Sequence, residues 1–442
     1  MLYNVDGSNI SWAGEEMYNS EIYRMISGEV DKIRIIDTHE HLTHQHGLMW
    51  ADKIDFGRLF VHYANSDLIS AGMPPEAIAN VSNPESPWDV PTKWKAIEPY
   101  YLKTWNTGYC ECLRIAIRDI FGIEDLSADT VEELSARMHD VSRGTWTREI
   151  FDKANIDIAL EHGAYQSPVY TREKRSDLFL YDMVDDFTNL NLEPLLKDSG
   201  LEVPDLDGYL LLIDWYFDKF AKEASAFKTA RAYDRSLSFE DVPQDHASGI
   251  FDRLLKQGNH LTHPERNALE DFIMHYCIKS AGDHNLPVKF HTGLQEGNSN
   301  DIRNSRAGLL VNLFMKYPKT KFDIYHISWP YTEELISICK NFPNVYIDFC
   351  WAWIFNPPAA RRYLSDMLET VPLNKIHGFG GDFIFVEGTY GHSRIARREI
   401  SRVLTEKVEE GRFNECYAIK AAIMILRENA IENFHINEKR PG

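Results

Sequence analysis

Four short apolar runs, far apart in the chain, each lead into a side chain able to bind a metal. Residues 33–36 run into Asp37-Thr38-His39-Glu40-His41-Leu42, residues 288–290 end in His291, residues 322–325 end in His326, and Gly380-Gly381 leads into Asp382. Alternate residues of a strand project to one side, so His39 and His41 point together, as one divalent ion requires. A single pair of this kind means little in a chain with 17 histidines. The other positions add weight, because core packing gives no reason for histidine at strand ends. Ligands spread from residue 39 to residue 382 meet only if the strand ends gather at one rim, and a closed barrel does that.

The remaining pattern agrees. Eight strands are predicted, at 33–39, 156–162, 178–185, 226–233, 287–292, 322–327, 344–350 and 375–381. Most are apolar throughout rather than alternating, which marks parallel strands covered on both faces. Helical periodicity fills the gaps. Leu206, Tyr209, Leu210, Ile213, Phe217 and Phe220 repeat at three- and four-residue steps. Thr262 and Glu265 form a capping box that, with Pro264 in the first turn, starts a helix running to about 281. Further helices are predicted at 306–317, 331–340, 359–369, 392–410 and 415–432, the last sealing the barrel through Ile419, Ile423, Leu426 and Ile431.

The expected fold is therefore α/β, a (β/α)8 TIM barrel forming one domain over 1–442, with a largely helical insertion at about 45–150 after the first strand. Prolines at 74, 75, 84, 87 and 91 predict that turns interrupt helices in its first half, whereas about 100–121 and 131–154 read as helical. The insertion leaves next to His41 and is rich in rings (Trp94, Tyr100, Tyr101, Trp105, Tyr109), so a lid over the site is expected.

Composition narrows the partners. A hydrophobic content of 44% supports a large core, and 47 basic against 67 acidic residues, a net charge of −20 without a basic cluster, argues against nucleic acid. The six cysteines lack a paired zinc spacing, which predicts reduced thiols and a cytoplasmic location. The polar start does not read as a signal peptide, and no apolar run suggests a membrane span. A small-molecule substrate is the expected partner, with homo-oligomerisation left open.

The segments DTHEHL, KFHTG, YHIS and GFGGD, in that order, resemble the amidohydrolase superfamily over about residues 30–435. The likeness is to the branch related to uronate isomerases and aminocarboxymuconate semialdehyde decarboxylase, and 291–306 through GFGGD is similar to the amidohydrolase domain of glutamine-synthetase-like fusion proteins. The resemblance implies a metal-dependent barrel with His39, His41, His291 and Asp382 as ligands. Imidazole and carboxylate suit one Zn2+, which leaves room for a water whose pKa falls toward ~7. Asp382 would take a proton from that water and return it to the leaving group. His326 would hydrogen-bond the metal-bound hydroxide or polarise the substrate carbonyl, or become a ligand in a two-metal site.

Lys228 on the fourth strand has three readings: a carboxylated bridge between two ions, a binder of an anionic substrate group, or an ordinary strand-end lysine. The second, with one metal, is the expectation. Arg303, by its planar fork, and Trp329 are the other expected substrate contacts, with Trp351 and Trp353 as further pocket walls. Glu40 reads as structural, and Arg394, Arg397 and Arg398 as a solvated helix face. The expected activity is hydrolysis of an amide, ester or lactone bond in a small carboxylated molecule. Decarboxylation or aldose-ketose isomerisation on the same scaffold is the alternative, and a metal-binding protein without catalysis is the third reading, opposed by the intact Asp382.

Overall fold

The structure, a computed structural model, describes residues 20–42, 54–140, 145–162, 177–185, 187–188, 190, 193–257 and 260–440. The polar start and the beginning of the predicted insertion, 43–53, lie outside them. Eight strands form one sheet in sequence order: β1 (Ile35–Glu40), β2 (Ile156–His162), β3 (Phe179–Val184), β4 (Phe227–Thr229), β5 (Val288–Phe290), β6 (Phe322–Ile324), β7 (Val345–Asp348) and β8 (Ile376–His377). Neighbouring strands are parallel throughout. The seam between last and first is closed just past β8, where Thr38 N donates to Phe379 O (3.1 Å), Asp382 N to His39 O (2.8 Å) and His41 N to Phe383 O (3.0 Å). This is the predicted TIM barrel.

Several strands stop short of the predicted ends for a common reason. After β6, His326, Ile327 and Ser328 have φ of 61°, 47° and 50°; after β7, Trp351 has 63°; after β8, Asp382 has 59°. None is glycine, and each such residue costs about 1–3 kcal/mol that surrounding structure must offset. The chain thus leaves the sheet in left-handed turns at three adjacent strand ends. These turns aim His326 and Asp382 at the barrel mouth.

Two glycines make the seam possible. A Cβ at Gly381 would stand 1.8 Å from Glu40 Oε1, and one at Gly380 would stand 2.7 Å from Thr38 Oγ1 and 2.8 Å from Cys350 Cβ. Glu40 is fully buried here, accepting from Phe383 N (2.8 Å) and Thr389 Oγ1 (2.7 Å), so its role is to tie β1 to the chain after β8.

The capping box forms as expected: Thr262 and Glu265 cap His263–Asp283 reciprocally. The helix predicted at 306–317 is instead a 3-10 turn, Ala307–Leu310, followed by Val311–Lys316. The helix expected from 392 starts at Val386 and runs to Glu409. Near the C-terminus one predicted helix is broken into Glu415–Ile423, a π-helical turn Met424–Glu428 and Asn429–Asn433. Its cause is a bond from a distant part of the chain, since the Ile425 carbonyl accepts from Gly378 N (2.6 Å) and is drawn out of the helical ladder. Beyond it Ala430, Phe434 and Ile436 pack against Ile36, Ile158, Leu160, Leu180 and Ala226, sealing the barrel.

In the insertion, Tyr63–Ser70, Pro75–Ser82 and Val90–Thr104 are helical despite the prolines. Pro75 and Pro91 occupy first-turn positions, where no amide hydrogen is needed. Gly108–Phe121, Val131–Asp140 and Trp146–Ala154 follow. Trp94, Ile97, Tyr101 and Leu113 belong to the same continuous apolar core as the barrel. Among the described residues no helix is long and apolar enough to cross a membrane.

Candidate metal centre at the barrel mouth

His39 on β1 and His41 just past its end have their Nε2 atoms 3.2 Å apart, and Asp382 Oδ1 lies 3.3 Å from the first and 3.2 Å from the second. Ligand atoms of a tetrahedral site with bonds of ~2.0–2.1 Å are separated by ~3.3 Å. The three edges of this triangle have that length. Two imidazole nitrogens and a carboxylate oxygen facing one another inside a protein also repel unless a cation or proton lies between them. The donor set and its spacing fit a divalent ion.

Asp382 has a second face. Its Oδ2 lies 3.9 Å from His326 Nε2, which is 3.0 Å from His291 Nδ1. His326 Nδ1 is 2.9 Å from the Cys350 carbonyl, and His291 Nε2 is 2.9 Å from the Leu294 carbonyl. A carbonyl only accepts, so these bonds assign the protons to His326 Nδ1 and His291 Nε2. The nitrogens that face each other then both carry lone pairs. His291, expected beside His39 and His41, is thus tied to His326. Cys350 joins His326 and Asp382 as a third possible donor on this side.

Electrostatics follow from burial. His39, His162 and His291 are driven well below the usual imidazole range, first by burial and then by neighbouring positive groups, among them Lys228. Burial likewise brings His326 down to about 4, although Asp382 opposes it. For Asp382 burial would raise the pKa, but the hydrogen bond from His41 and the His326 and His41 charges outweigh it and hold the carboxyl ionised. Ligation needs the carboxylate ionised and the facing imidazole nitrogens unprotonated.

The other expected residues separate. Lys228 on β4 is buried, with Nζ 5.1 Å from the Tyr325 ring centre; burial lowers its pKa, and the nearby Asp382 partly restores it. The expectation for Arg303 is not met in position: its side chain is 85% exposed and paired with Asp301 at 2.7 Å. That pair is local to a 3-10 turn, two residues apart, which leaves the guanidinium outside the cluster. Trp329 is half-buried against Phe355, ring centres 5.3 Å apart, while Trp353 turns into the core, donating to Gly378 O at 2.9 Å. Trp351 is the indole at the site, 5.3 Å from His326 and perpendicular to it.

Four residues were not anticipated. His162 ends β2 with its ring 4.8 Å from His41; it shows the same strand-end signal as the others. Tyr63, from the insertion, donates to the Asp382 carbonyl at 2.5 Å and stacks on Trp351 at 4.4 Å. Tyr233 lies 4.7 Å from His291 and its hydroxyl accepts from Glu296 N at 2.9 Å. Glu296, half-buried, feels the Asp382 charge. Of the rings expected to line the mouth, Tyr109 stacks on Tyr63 at 5.3 Å, whereas Trp94 and Tyr101 are insertion core and Trp105 is 39% exposed.

A parallel eight-stranded barrel carrying histidines and an aspartate at the ends of β1, β5, β6 and β8 defines a class, the metal-dependent TIM-barrel enzymes. Residues 227–430, a little under half of the chain, match the family described as Amidohydrolase. It is 29% identical over 159 residues to Protein fluG of Emericella nidulans, a stretch that is 36% of this chain and 18% of that protein's length. In fold it is similar to uronate isomerase from Thermotoga maritima (TM-score 0.79, 16% identity, covering 95% of this chain and 98% of the other). Glucuronate isomerase from Caulobacter crescentus is similar as well (TM-score 0.77, 18% identity, 95% and 96%).

Proposed function

We propose that the protein is a metal-dependent hydrolase of small carboxylated molecules carrying an amide, ester or lactone bond. The observation that carries this reading is the placement of Asp382, with one oxygen completing the His39–His41 triangle and the other turned toward His326. His39, His41 and Asp382 would hold the ion, which when bound supplies Lewis acidity to the reacting centre and acidity to a water beside it.

Asp382 accepts the proton of the attacking water and delivers it to the leaving atom, and being held ionised it is ready to do so. The lone pairs of His291 and His326 are 3.0 Å apart. A proton bound between them would satisfy both, so the pair takes up a proton shed at Asp382 and, being kept neutral at rest by burial, holds it only in passing. In its resting state His326 presents an acceptor to the mouth rather than a donor, so it positions water or a substrate hydroxyl instead of polarising a carbonyl. Lys228 Nζ makes no hydrogen bond or ion pair among the described residues, and its ammonium is the group available to a substrate carboxylate. Trp351, Tyr63 and Tyr109 wall the site.

The second reading is aldose-ketose isomerisation of a uronate. It is favoured by the likeness to the two isomerases, which spans the insertion as well as the barrel. Both readings are tested by one panel on protein loaded with Zn2+: carboxylated lactones, esters and N-acyl amino acids assayed by acid release, and uronates assayed for ketose. Hydrolysis of a carboxylated substrate, lost with the ion, supports the first reading; ketose formation without any hydrolysis replaces it with the second.

A further inference from the structure

Below the mouth, inside the closed barrel, lies a second group of metal-capable side chains. Asp323 on β6, Asp348 on β7 and His377 on β8 are all fully buried, and their ligand atoms lie within 4.8 Å of one another. His377 Nδ1 is 2.9 Å from Asp323 Oδ1 and 3.7 Å from Asp348 Oδ2. These distances bracket the ~3.3 Å edge of a tetrahedral zinc site.

The hydrogen-bond inventory of the cluster is incomplete. Asp348 Oδ1 accepts from Cys350 N at 2.7 Å, but Asp348 Oδ2, Asp323 Oδ2 and His377 Nε2 have no hydrogen-bond partner. Lys289 acts on Asp348 through its charge but makes no hydrogen bond to it, its Nζ being engaged by Asp182 at 2.8 Å and by the Thr38 carbonyl at 3.0 Å. Two carboxylates and one imidazole are therefore enclosed in a water-excluding barrel, where an unbalanced charge is strongly disfavoured. Burial, and then the Asp323 charge, push the Asp348 carboxyl well above the usual carboxylate range, so without an ion the pair holds a proton that a divalent cation would displace. A divalent ion would engage all three side chains at once.

We infer that Asp323, Asp348 and His377 form a structural site for a divalent transition ion of the zinc or manganese type, distinct from the ion at the mouth. Two carboxylates and an imidazole suit such ions, whereas the nitrogen donor disfavours magnesium or calcium. Because the side chains are sealed in, the ion enters as the chain folds, and its binding contributes to folding.

The test is refolding of the full chain in Zn2+ alone, followed by removal of accessible metal with a chelator and measurement of zinc per chain. A His39→Ala/His41→Ala variant, which lacks the mouth site, is expected to keep close to one zinc per chain. Adding Asp323→Asn and Asp348→Asn, which keep shape and remove charge, is expected to abolish it. A folded His39→Ala/His41→Ala protein without zinc overturns the inference and leaves the proposed hydrolase untouched, because that reading depends on the mouth ion alone. Should these variants not fold, an anomalous difference map of wild-type crystals grown from zinc-refolded protein decides. A peak among the three side chains supports the site, and anomalous density at the mouth alone overturns it.

Discussion

Asp382 carries two demands on one carboxylate. Oδ1 completes the ligand triangle and Oδ2 faces His326, and the residue occupies a left-handed φ of 59° to do both. Asp382→Asn keeps the shape but removes the negative charge and the proton acceptor. Turnover on an identified substrate is expected to fall by at least ~10²-fold with Zn2+ kept saturating, and measured zinc affinity is expected to fall as well. An unchanged rate at full occupancy would place the base elsewhere. Lys228→Met removes the buried ammonium and keeps most of its bulk. It is expected to raise KM for carboxylated substrates more than it lowers kcat, with little change for uncharged analogues. Two ions about 3.5–4 Å apart, with added density on Lys228 Nζ, would instead make that residue a bridge and His326 a ligand. Sequence shows His39, His41, His291, His326 and Asp382 because each stands at the end of an apolar run. It does not show Tyr63, which reaches Asp382 from 319 positions away, nor which of three tryptophans turns inward. Those depend on packing at the strand ends and carry no local signal.

At the scale of elements, the seam between β1 and the chain after β8 is the tightest joint. A methyl group at Gly381 would strike the buried Glu40 carboxylate, whose hydrogen bonds to Phe383 N and Thr389 fix it in place. Gly381→Ala is expected to destabilise the fold by about 3 kcal/mol or more, read as a lowered denaturation midpoint with loss of bound zinc. Gly28 is the control. It lies in the helix Glu21–Lys32, with nothing within 4 Å of an added Cβ. Gly28→Ala is expected to stabilise by about 0.5–1 kcal/mol. Equal effects of the two substitutions would mean that the seam is not under tension. The eight strands and the capped helix at 263 were legible because burial on both faces and a reciprocal cap are written locally. The strand ends were not, because three of them turn left-handed at non-glycine residues, where tertiary contacts override local preference. The π-helical turn at 424–428 was equally hidden, since a bond from Gly378, distant in sequence, creates it.

The whole molecule balances buried imidazoles against burial cost. Folding lowers His326 from 6.5 to about 4, so between those values the unfolded chain binds a proton that the native protein does not. The contribution of His326 to the stability of the metal-free protein therefore falls as pH drops through that window, by about 3 kcal/mol, while Asp37, pushed up to about 7 by burial, acts in the opposite direction. His39, His162 and His291 shift the same way as His326 and steepen the loss. Denaturation midpoints of chelator-treated protein from pH 7 to pH 4, compared with those of His326→Asn, check this: the stability of the unchanged protein relative to the variant is expected to fall as pH drops. Two curves that run parallel over that range would contradict it. The central claim, that one ion at the mouth joins β1 to the chain after β8, has a more direct test in crystals of zinc-loaded protein measured on both sides of the zinc absorption edge. The account predicts an anomalous peak about 2.0–2.2 Å from His39 Nε2, His41 Nε2 and Asp382 Oδ1. An ordered zinc at the mouth that leaves those three atoms unligated, or no zinc at the mouth at all, would contradict it.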